Sequence, residues 1–217
     1  DAPAPVPMEE LEVIILDTMG SQWCCGWAAS QGPDVLLAAV DETTDHDAWS
    51  KQVATVFERL EATPSECAVL ITEAPGVTVA ERESAAAALF AEHGVQAVHV
   101  AAAPLLALYN TECNTGLLVH IGESHAHVHA LYEGIPLLAA ATVHPLQRGG
   151  GILPAAAVLR TAALAGLRVR GALLAHVVLV GEGAMAAGLA DELQHELSAA
   201  LDTTPWTPRV VAHADRR

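Results

Sequence analysis

Alternating histidines form the first group of side chains in this sequence that could carry out chemistry. His125, His127 and His129 occupy every second position of one short stretch, and His120 precedes them. Because side chains alternate between the two faces of a β-strand, these three imidazoles share one face if the stretch is extended. Imidazole is a common zinc ligand, so the pattern is a candidate metal site, with Glu123 as the nearby acid. The ligand set is incomplete, and a half-exposed strand tolerates the same residues, which is the simpler interpretation.

The cysteines offer a second possible chemistry, as metal ligands or redox thiols. They are Cys24, Cys25, Cys67 and Cys113. The only close pair is adjacent, which suits neither a metal knuckle nor an easy disulfide. A reactive thiol also needs an electropositive neighbour, and this pair has none in the sequence. We therefore expect reduced thiols that pack inside a strand, in a reducing compartment.

The elements that would position these side chains alternate along the first half of the chain. Three apolar stretches bounded by turn residues predict three strands at 11–17, 23–29 and 34–40. Apolar residues at helical spacing from Trp49 to Leu60 predict a helix with Asp45 as its N-cap. A strand follows at 67–73. Thr78 and Glu81 then form a capping box for a helix to about residue 92, which leads to a strand at 95–101.

The second half repeats this order more loosely. Strands are predicted at 115–122, 124–133, 135–141, 176–181 and 209–213, with a helix at 152–167 between the third and the fourth. A further helix carries an apolar stripe made of Met185, Leu189, Leu193, Leu197 and Leu201. This weak repeat predicts a duplicated α/β domain whose halves are 11–110 and 111–217. A ligand would bind where the halves meet, at the strand ends.

Composition and charge exclude several classes of protein. The 217 residues are 52% hydrophobic, which is enough to bury a sizeable core, and no apolar run reaches the roughly 18 residues of a membrane span. A formal net charge of −16 repels phosphate backbones, so nucleic acid is not expected as a partner. Within residues 1–10, proline occupies every second position from 3 to 7, which predicts a flexible tail rather than a signal peptide. This favours a cytosolic or nuclear protein.

Several longer motifs occur in a characteristic order. They are VIILDTMGSQWCCGWAASQGP, VLITEAP with a following ERE, VAAAPLLALYNTECNTGLLVHIG, ALYEGIPL and VLVGEGAMAAGLADEL. In order and spacing, from Val13 to about Val211, these motifs resemble the actin family, and the TEAP turn with ERE and the LYEG motif are the most specific. The resemblance implies an actin-like, duplicated ribonuclease H-like α/β fold. In that fold two mixed β-sheets with flanking helices surround a cleft.

The same resemblance implies a trimmed version of the fold. Between Val40 and Trp49, actins carry an inserted lobe that caps the nucleotide cleft, whereas this sequence has only the acidic connector DETTDHDA. The opposite lobe would precede LLAHVVLVG, where only a short Ala/Leu/Arg stretch stands. We also expect no counterpart of the final strand and C-terminal helices of actins. Filament contacts made by these parts are therefore not expected.

The first phosphate loop of the actin family is matched only in part. Asp17 corresponds to the acid that holds the water shell of the metal ion, and Ser21 follows where Gly and Ser amides approach the phosphates. Cys24 stands where the family has a lysine that contacts the phosphates. A neutral thiol cannot replace an ammonium group against a polyphosphate.

The second phosphate loop departs further from the family. His120 replaces the metal-side aspartate, and Ile121 takes the place of a residue that could donate a hydrogen bond, although Gly122 and Glu123 follow. The family glutamine that orients the attacking water aligns with Ala103. Phosphoryl transfer depends on positioning and charge stabilisation, so we expect no hydrolysis.

Some contacts to a nucleotide would remain in a vestigial site. The catalytic-type histidine of the family has a counterpart in His127, and the Gly-Gly turn near adenosine becomes Gly181 followed by Glu182, an acid near the α-phosphate. We expect no resident cofactor and at most weak binding of ATP with magnesium. The residues that would contact it are Asp17, Ser21, Gly122, Glu123, His127 and Gly181.

Three functions are compatible with these residues. The favoured hypothesis is a catalytically inactive actin-related protein that is a structural or interaction component of a cytoskeletal assembly, in the cytoplasm, with protein partners in an actin-containing complex. The alternative is a binding module that ATP occupancy gates without hydrolysis. A zinc or redox enzyme on the same fold has only the histidine strand in its favour. Short, Ala-rich, divergent chains of this kind also resemble the actin-like proteins of male germ cells, which implies a role in the sperm-head cytoskeleton.

Overall fold

The computed structural model describes residues 11–18, 22–40, 46–73, 77–122, 124–146 and 155–212. The predicted tail, the Asp45 cap and the site residues Ser21 and Glu123 lie outside these ranges. The chain divides into two compact units between Ala103 and Pro104. Across the described ranges, no helix has both the length and the apolar character that crossing a membrane requires.

The first unit is a five-stranded mixed sheet with two helices, in the predicted order of elements. Its strand order is β3-β2-β1-β4-β5, with antiparallel pairing of the first three strands along the chain and parallel pairing of β1, β4 and β5. The elements are β1 (Glu12–Asp17), β2 (Gln22–Trp27), β3 (Val35–Ala38), α1 (His46–Arg59), β4 (Cys67–Glu73), α2 (Val79–Ala91) and β5 (Ala97–Ala102).

Both helices of the first unit pack on the same face of its sheet. Ile14 and Leu16 of β1 point into this core and are fully buried with Val53 of α1 and Leu89 of α2. The capping box at the start of α2 is confirmed. The backbone amide of Glu81 donates to the Thr78 hydroxyl at 3.2 Å, and the Thr78 amide donates to the Glu81 carboxylate at 2.7 Å.

The second unit is a six-stranded mixed sheet with order β11-β10-β6-β7-β8, and β9 also pairs with β7. Its elements are α3 (Ala103–Tyr109), β6 (Gly116–Ile121), β7 (His125–Tyr132), β8 (Ile135–Pro136), β9 (Thr142–Pro145), α4 (Ala155–Leu164), α5 (Leu167–Leu174), β10 (Val177–Val180), α6 (Leu189–Leu201) and β11 (Val210–Ala212).

The two sheets have the same topology. In each unit the first strand along the chain is central, antiparallel pairings continue on one side of it, and two parallel strands lie on the other. The second sheet has β9 as an additional strand on its antiparallel side. The internal repeat predicted from the sequence is therefore present as repeated strand order and direction. Two mixed β-sheets with flanking helices make up the fold.

The second sheet is covered by helices on both faces. Alternate residues of β6, Leu117 and Val119, pack against α4, α5 and α6 in one core. The opposite face carries Leu118 and Leu131, which pack around Leu108 of α3 in a second core. All five of these leucine and valine side chains are at most 3% exposed. This arrangement makes α3 part of the second unit.

Three elements of the second unit differ from the sequence-based predictions. The expected strand 135–141 ends at Pro136, because proline cannot donate to the sheet ladder, and β9 forms only after a 3₁₀ turn at Leu138–Ala140. Met185 does not belong to the apolar stripe of α6, because it lies in a 3₁₀ turn before the helix and is 48% exposed. The helix predicted to reach residue 167 ends at Leu164.

The missing length of that helix is replaced by a tight corner. Only Ala165 and Gly166 join α4 to α5. Gly166 has φ +101°, a backbone conformation that glycine adopts without steric cost. A Cβ atom at this position would have open space around it. The chain therefore turns sharply between two helices that both face the sheet core.

Candidate functional site

Asp17, which the family resemblance assigns to a first phosphate loop, is fixed by a hydrogen bond to the neighbouring parallel strand. Asp17 ends β1, and the buried hydroxyl of Thr72 on β4 donates to its Oδ1 at 2.7 Å. The same hydroxyl accepts from the backbone amide of Thr18 at 3.2 Å. The carboxylate is therefore held at the end of the strand by a side chain that also accepts a backbone hydrogen bond.

Two thiols lie on the strand next to this carboxylate. Cys24 is paired with Asp17 across the antiparallel ladder, and Cys25 points into the core. Burial, followed by the negative charge of Asp17, raises the pKa of Cys24. The same causes in the same order raise the pKa of Cys25 to about 12. Both groups are neutral thiols at physiological pH, so neither supplies a charge that could balance a polyphosphate.

In the second unit, a glycine turn packs against the end of β6. Gly181 follows β10 and has φ +92°, and a Cβ atom there would lie 2.6 Å from the Ile121 carbonyl oxygen and 3.1 Å from the His120 ring. A Cβ atom at Gly183 would overlap the Ile121 side chain. His120 and Ile121 therefore occupy the space beside this turn.

The hairpin after β6 contains two more of the predicted site residues, Gly122 and His127. The amide of Gly122 donates to the His125 carbonyl oxygen at 3.0 Å, which closes a tight turn between β6 and β7. His120 and His127 are paired across these strands, with ring centroids 6.2 Å apart. The structure therefore brings Gly122, His127 and Gly181 to one end of this sheet, whereas Asp17 belongs to the first unit.

The histidine strand has its imidazoles on one face, as predicted. His127 and His129 are stacked, with ring centroids 6.2 Å apart, and Nδ1 of His129 is buried with no partner in the described part of the chain. Burial, with a smaller effect of His127 and His120, lowers the pKa of His129 to about 4. Burial also lowers the pKa of His127. Among the described residues, no three His, Cys, Asp or Glu side chains converge on a position suited to a metal ion.

A polar cluster between α1 and α2 was not predicted. The Ser50 hydroxyl donates to the Glu92 carboxylate at 2.5 Å, His46 bonds the other oxygen of Glu92 at 2.9 Å, and Nε2 of His93 lies 3.1 Å from the Ser50 oxygen. The Ser50 hydroxyl therefore bridges the Glu92 carboxylate and the His93 ring at the end of α2. The cluster links the two helices of the first unit.

A cysteine and a histidine also meet in a surface pocket of the second unit. Sγ of Cys113 lies 3.5 Å from Nδ1 of His176. Both residues line a pocket of about 540 Å³, together with Tyr109, Glu112, Asn114 and Thr115. Cys113 lies just before β6 and His176 just before β10, so the parallel pairing of those strands brings them together. The sequence pattern alone does not show this pairing, so it gave no signal for the contact.

Comparison with known proteins agrees with the motifs and the fold. A family model described as Actin matches residues 43–161, which is more than half of the chain. Actin-related protein 2 of Acanthamoeba castellanii is 35% identical over 83 residues, or 38% of this chain and 21% of the relative. Actin-like protein 7A of Homo sapiens is 32% identical over 98 residues, or 45% of this chain and 22% of the relative.

The matched segment spans about a fifth of the length of these relatives. The family match lies across both units, from the segment before α1 to the middle of α4. It therefore includes strands of both sheets, and both sheets have the same strand order. The motifs, the repeated topology and the family match agree, and the chain belongs to the actin family.

Proposed function

We propose that this protein is a catalytically inactive member of the actin family that acts as a structural or interaction component of a cytoskeletal assembly. One observation carries the proposal: His120 and Ile121 pack against the turn that contains Gly181 and Gly183. In actins an acid and a small hydrogen-bonding residue occupy these positions of the second phosphate loop. The sec-butyl side chain of Ile121 supplies no hydrogen bond, and the ring of His120 supplies no negative charge for a metal ion.

The electrostatics of the first unit support the same conclusion. Asp17 is the one acid of the first phosphate loop, and the residue paired with it is a neutral thiol rather than an ammonium group. Phosphoryl transfer depends on charges placed around the transferred group, and losing a single such contact can cost on the order of 100-fold in rate. Several contacts are replaced in this chain, so hydrolysis is not expected.

The relatives support the cytoskeletal part of the proposal. They are named as an actin-related and an actin-like protein, and the family model matches residues 43–161. We propose protein partners in an actin-containing complex and a cytoplasmic, cytoskeletal location. The role in such a complex would depend on surfaces, not on turnover.

A nucleotide-gated binding module is the second candidate function. Gly122, His127 and Gly181 gather at one end of the second sheet, and Asp17 retains its carboxylate in the first unit. In this alternative, ATP would bind weakly and set the conformation of the chain without being hydrolysed. It differs from the first candidate in one property, which is whether nucleotide stabilises the fold.

Thermal unfolding with and without millimolar Mg-ATP tests these proposals, together with an assay of phosphate release. Asp17→Asn is the matched control, because the amide Oδ1 still accepts from Thr72 while the charge is lost. A ligand at 100 times its Kd stabilises a fold by about 2.7 kcal/mol, which shifts the midpoint by several degrees. No shift and no phosphate release are expected.

The other outcomes separate the alternatives. A shift that Asp17→Asn removes, without phosphate release, would replace the structural role with the gated module. Phosphate release that Asp17→Asn abolishes would overturn the claim of catalytic inactivity. Co-sedimentation of the purified chain with actin filaments tests the partner proposal separately from nucleotide binding.

A further inference from the structure

The contact between Cys113 and His176 has the geometry of a thiol with its own base. The 3.5 Å between Sγ and Nδ1 is a hydrogen-bond distance for sulfur. With the ring proton on Nε2, Nδ1 accepts from the thiol, which is the arrangement that lets an imidazole take the proton of a cysteine. Each residue is partly buried, so the pair is reached from the pocket rather than sealed in the core.

Backbone hydrogen bonds fix both members of the pair. The His176 carbonyl oxygen accepts from the Leu117 amide at 2.8 Å, which continues the pairing of β6 with β10. Any side chain in place of Gly116 would collide with this carbonyl, since a Cβ atom there would lie 2.5 Å from it. On the other side, Cys113 packs against the core around Leu108. The thiol and the ring are therefore held in place by the sheet and by α3.

The other three thiols of the chain lie in surroundings that oppose ionisation. Burial and the charge of Asp17 raise the pKa values of Cys24 and Cys25, and burial with Glu12 and Glu66 raises the pKa of Cys67. Among the described residues, Cys113 is the cysteine with an imidazole as its hydrogen-bond partner. Reactivity follows the thiolate, so the four thiols are expected to differ.

The pocket determines which reagents reach this pair. Its volume of about 540 Å³ admits a small molecule, and its lining offers amide, hydroxyl and phenol groups with one carboxylate, that of Glu112. The chain also carries a formal net charge of −16. A small, neutral, polar electrophile fits this lining, whereas an anionic one is repelled.

We propose that Cys113 and His176 form a thiol–imidazole site at which a neutral hydroperoxide oxidises Cys113 to a sulfenic acid. The thiol gives its proton to Nδ1 of His176, and the thiolate attacks one peroxide oxygen. The S–O bond forms as the O–O bond breaks. The departing oxygen takes the proton from the imidazolium ring and leaves as water or alcohol. Sulfur loses two electrons, the peroxide gains them, and the ring returns to its neutral form.

The test treats the purified, reduced chain with hydrogen peroxide in the presence of a dimedone probe, which traps sulfenic acids, and follows each cysteine by peptide mass spectrometry. Cys24 of the same chain is the internal control, because it is also partly exposed but lies beside Asp17. We expect Cys113 to be trapped faster than Cys24. Because His176 can take the proton as the sulfur attacks, we expect a difference of at least about tenfold.

His176→Asn separates proton transfer from packing. The Asn side chain keeps a hydrogen-bond acceptor near the position of Nδ1 but cannot take the proton. We expect trapping at Cys113 to fall to the rate of Cys24, while the rate at Cys24 is unchanged. His176→Gln is the second variant if the first fails to fold, which the unfolding midpoint of each variant reports.

Two results would overturn the proposal. One is equal trapping at Cys113 and Cys24 in the unmodified chain. The other is a folded His176→Asn or His176→Gln variant that is trapped at Cys113 as fast as the original. Neither result depends on nucleotide binding, so the proposed function stands or falls separately.

Discussion

The two sheets share a topology but differ at equivalent strand ends. In the first sheet, the central strand ends in Asp17, which is hydrogen-bonded to Thr72 on the parallel neighbour. In the second sheet, the central strand ends in His120 and Ile121, which pack against Gly181. The strand order depends on buried alternation along the strands, which both halves retain. Asp17 and His120 are only partly buried and lie outside that pattern, so they differ without loss of the fold.

The two sheets also differ in how far helices cover the face that carries Asp17 in the first sheet and His120 in the second. In the second unit, α3 covers this face and buries Leu118 and Leu131. In the first unit, the corresponding face carries Val13, which is 39% exposed, and Leu36, which is 48% exposed. Burial of the second sheet is therefore two-sided, whereas the helices of the first unit pack on one side.

The largest expected effect tests this difference in burial. Leu108→Ala on α3 removes a fully buried side chain and is expected to destabilise the second unit by about 2–5 kcal/mol. Leu36→Ala, at a half-exposed position of the first sheet, should cost less than about 1 kcal/mol. Urea unfolding followed by hydrogen exchange would report each unit. Similar losses of unfolding free energy for the two substitutions would show that the covering of the second sheet by α3 does not make it more sensitive than the exposed face of the first sheet.

The second prediction concerns the glycine turn at the end of β10. Gly181→Ala places a Cβ atom 2.6 Å from the Ile121 carbonyl oxygen in a backbone region that favours glycine, and we expect a cost of about 3 kcal/mol. Gly166→Ala is the matched control, because its φ of +101° is close to the +92° of Gly181 while its surroundings are open.

The difference between these two variants isolates the contact from the backbone strain. Strain alone is expected to cost Gly166→Ala about 1–2 kcal/mol. The measurement is the free energy of unfolding of each variant in urea. If Gly166→Ala is as costly as Gly181→Ala, the packing of Ile121 against the turn does not contribute.

The third prediction concerns pH, because the antiparallel neighbour of the central strand carries imidazoles in the second sheet and thiols in the first. The pKa of His129 is about 4 in the folded chain and 6.5 in the unfolded chain, so the unfolded chain binds a proton first as the pH falls. The fold keeps His129 neutral, so its contribution to the free energy of unfolding is fully present above pH 6.5. This contribution is lost as the pH falls from 6.5 to 4. Allowing for partial exposure, the loss is about 2 kcal/mol.

His129→Leu checks this pH dependence. The variant should lose less stability than the original chain between pH 6.5 and 4, as measured by hydrogen exchange in the second unit. A remaining dependence is expected from His127 and His144, whose pKa values are also lowered by burial. An unchanged dependence in His129→Leu would assign the acid sensitivity to other groups.

The smallest expected effect compares two helix starts. Helix α2 begins with the Thr78–Glu81 capping box, whereas α6 begins after Gly188 without a side-chain cap. Thr78→Ala should cost about 1 kcal/mol. Thr78→Ser, which retains the hydroxyl, is the control and should be nearly neutral. The unfolding free energy of the two variants measures the cap, and equal values would show that the box does not stabilise α2.

Elements with a local signal could be predicted from the sequence, and elements without one could not. The capping box located α2, and short apolar runs located the strands of the first sheet. The run from Leu137 to Ala141 did not distinguish a strand from a turn, because leucine and alanine occur readily in either. Helices α3 and α5 are seven and eight residues long, which is too short for a clear helical period.

The sites show the same limit. The face shared by His125, His127 and His129 follows from alternation alone, so it was predictable. The contact between Cys113 and His176 joins residues 63 positions apart, and it depends on the register of two parallel strands. Register is a property of the folded sheet, which explains why no motif in the sequence indicated this pair.

The two-residue corner between α4 and α5 has a consequence for engineering the chain. Ala165 and Gly166 close the corner, and the space around Gly166 is open. Loop-closure entropy grows slowly with length, at about 0.6 kcal/mol for each doubling, so a longer connection here is cheap. A fluorescent reporter domain whose termini lie close together could therefore be inserted at this corner, with both helices left on the sheet.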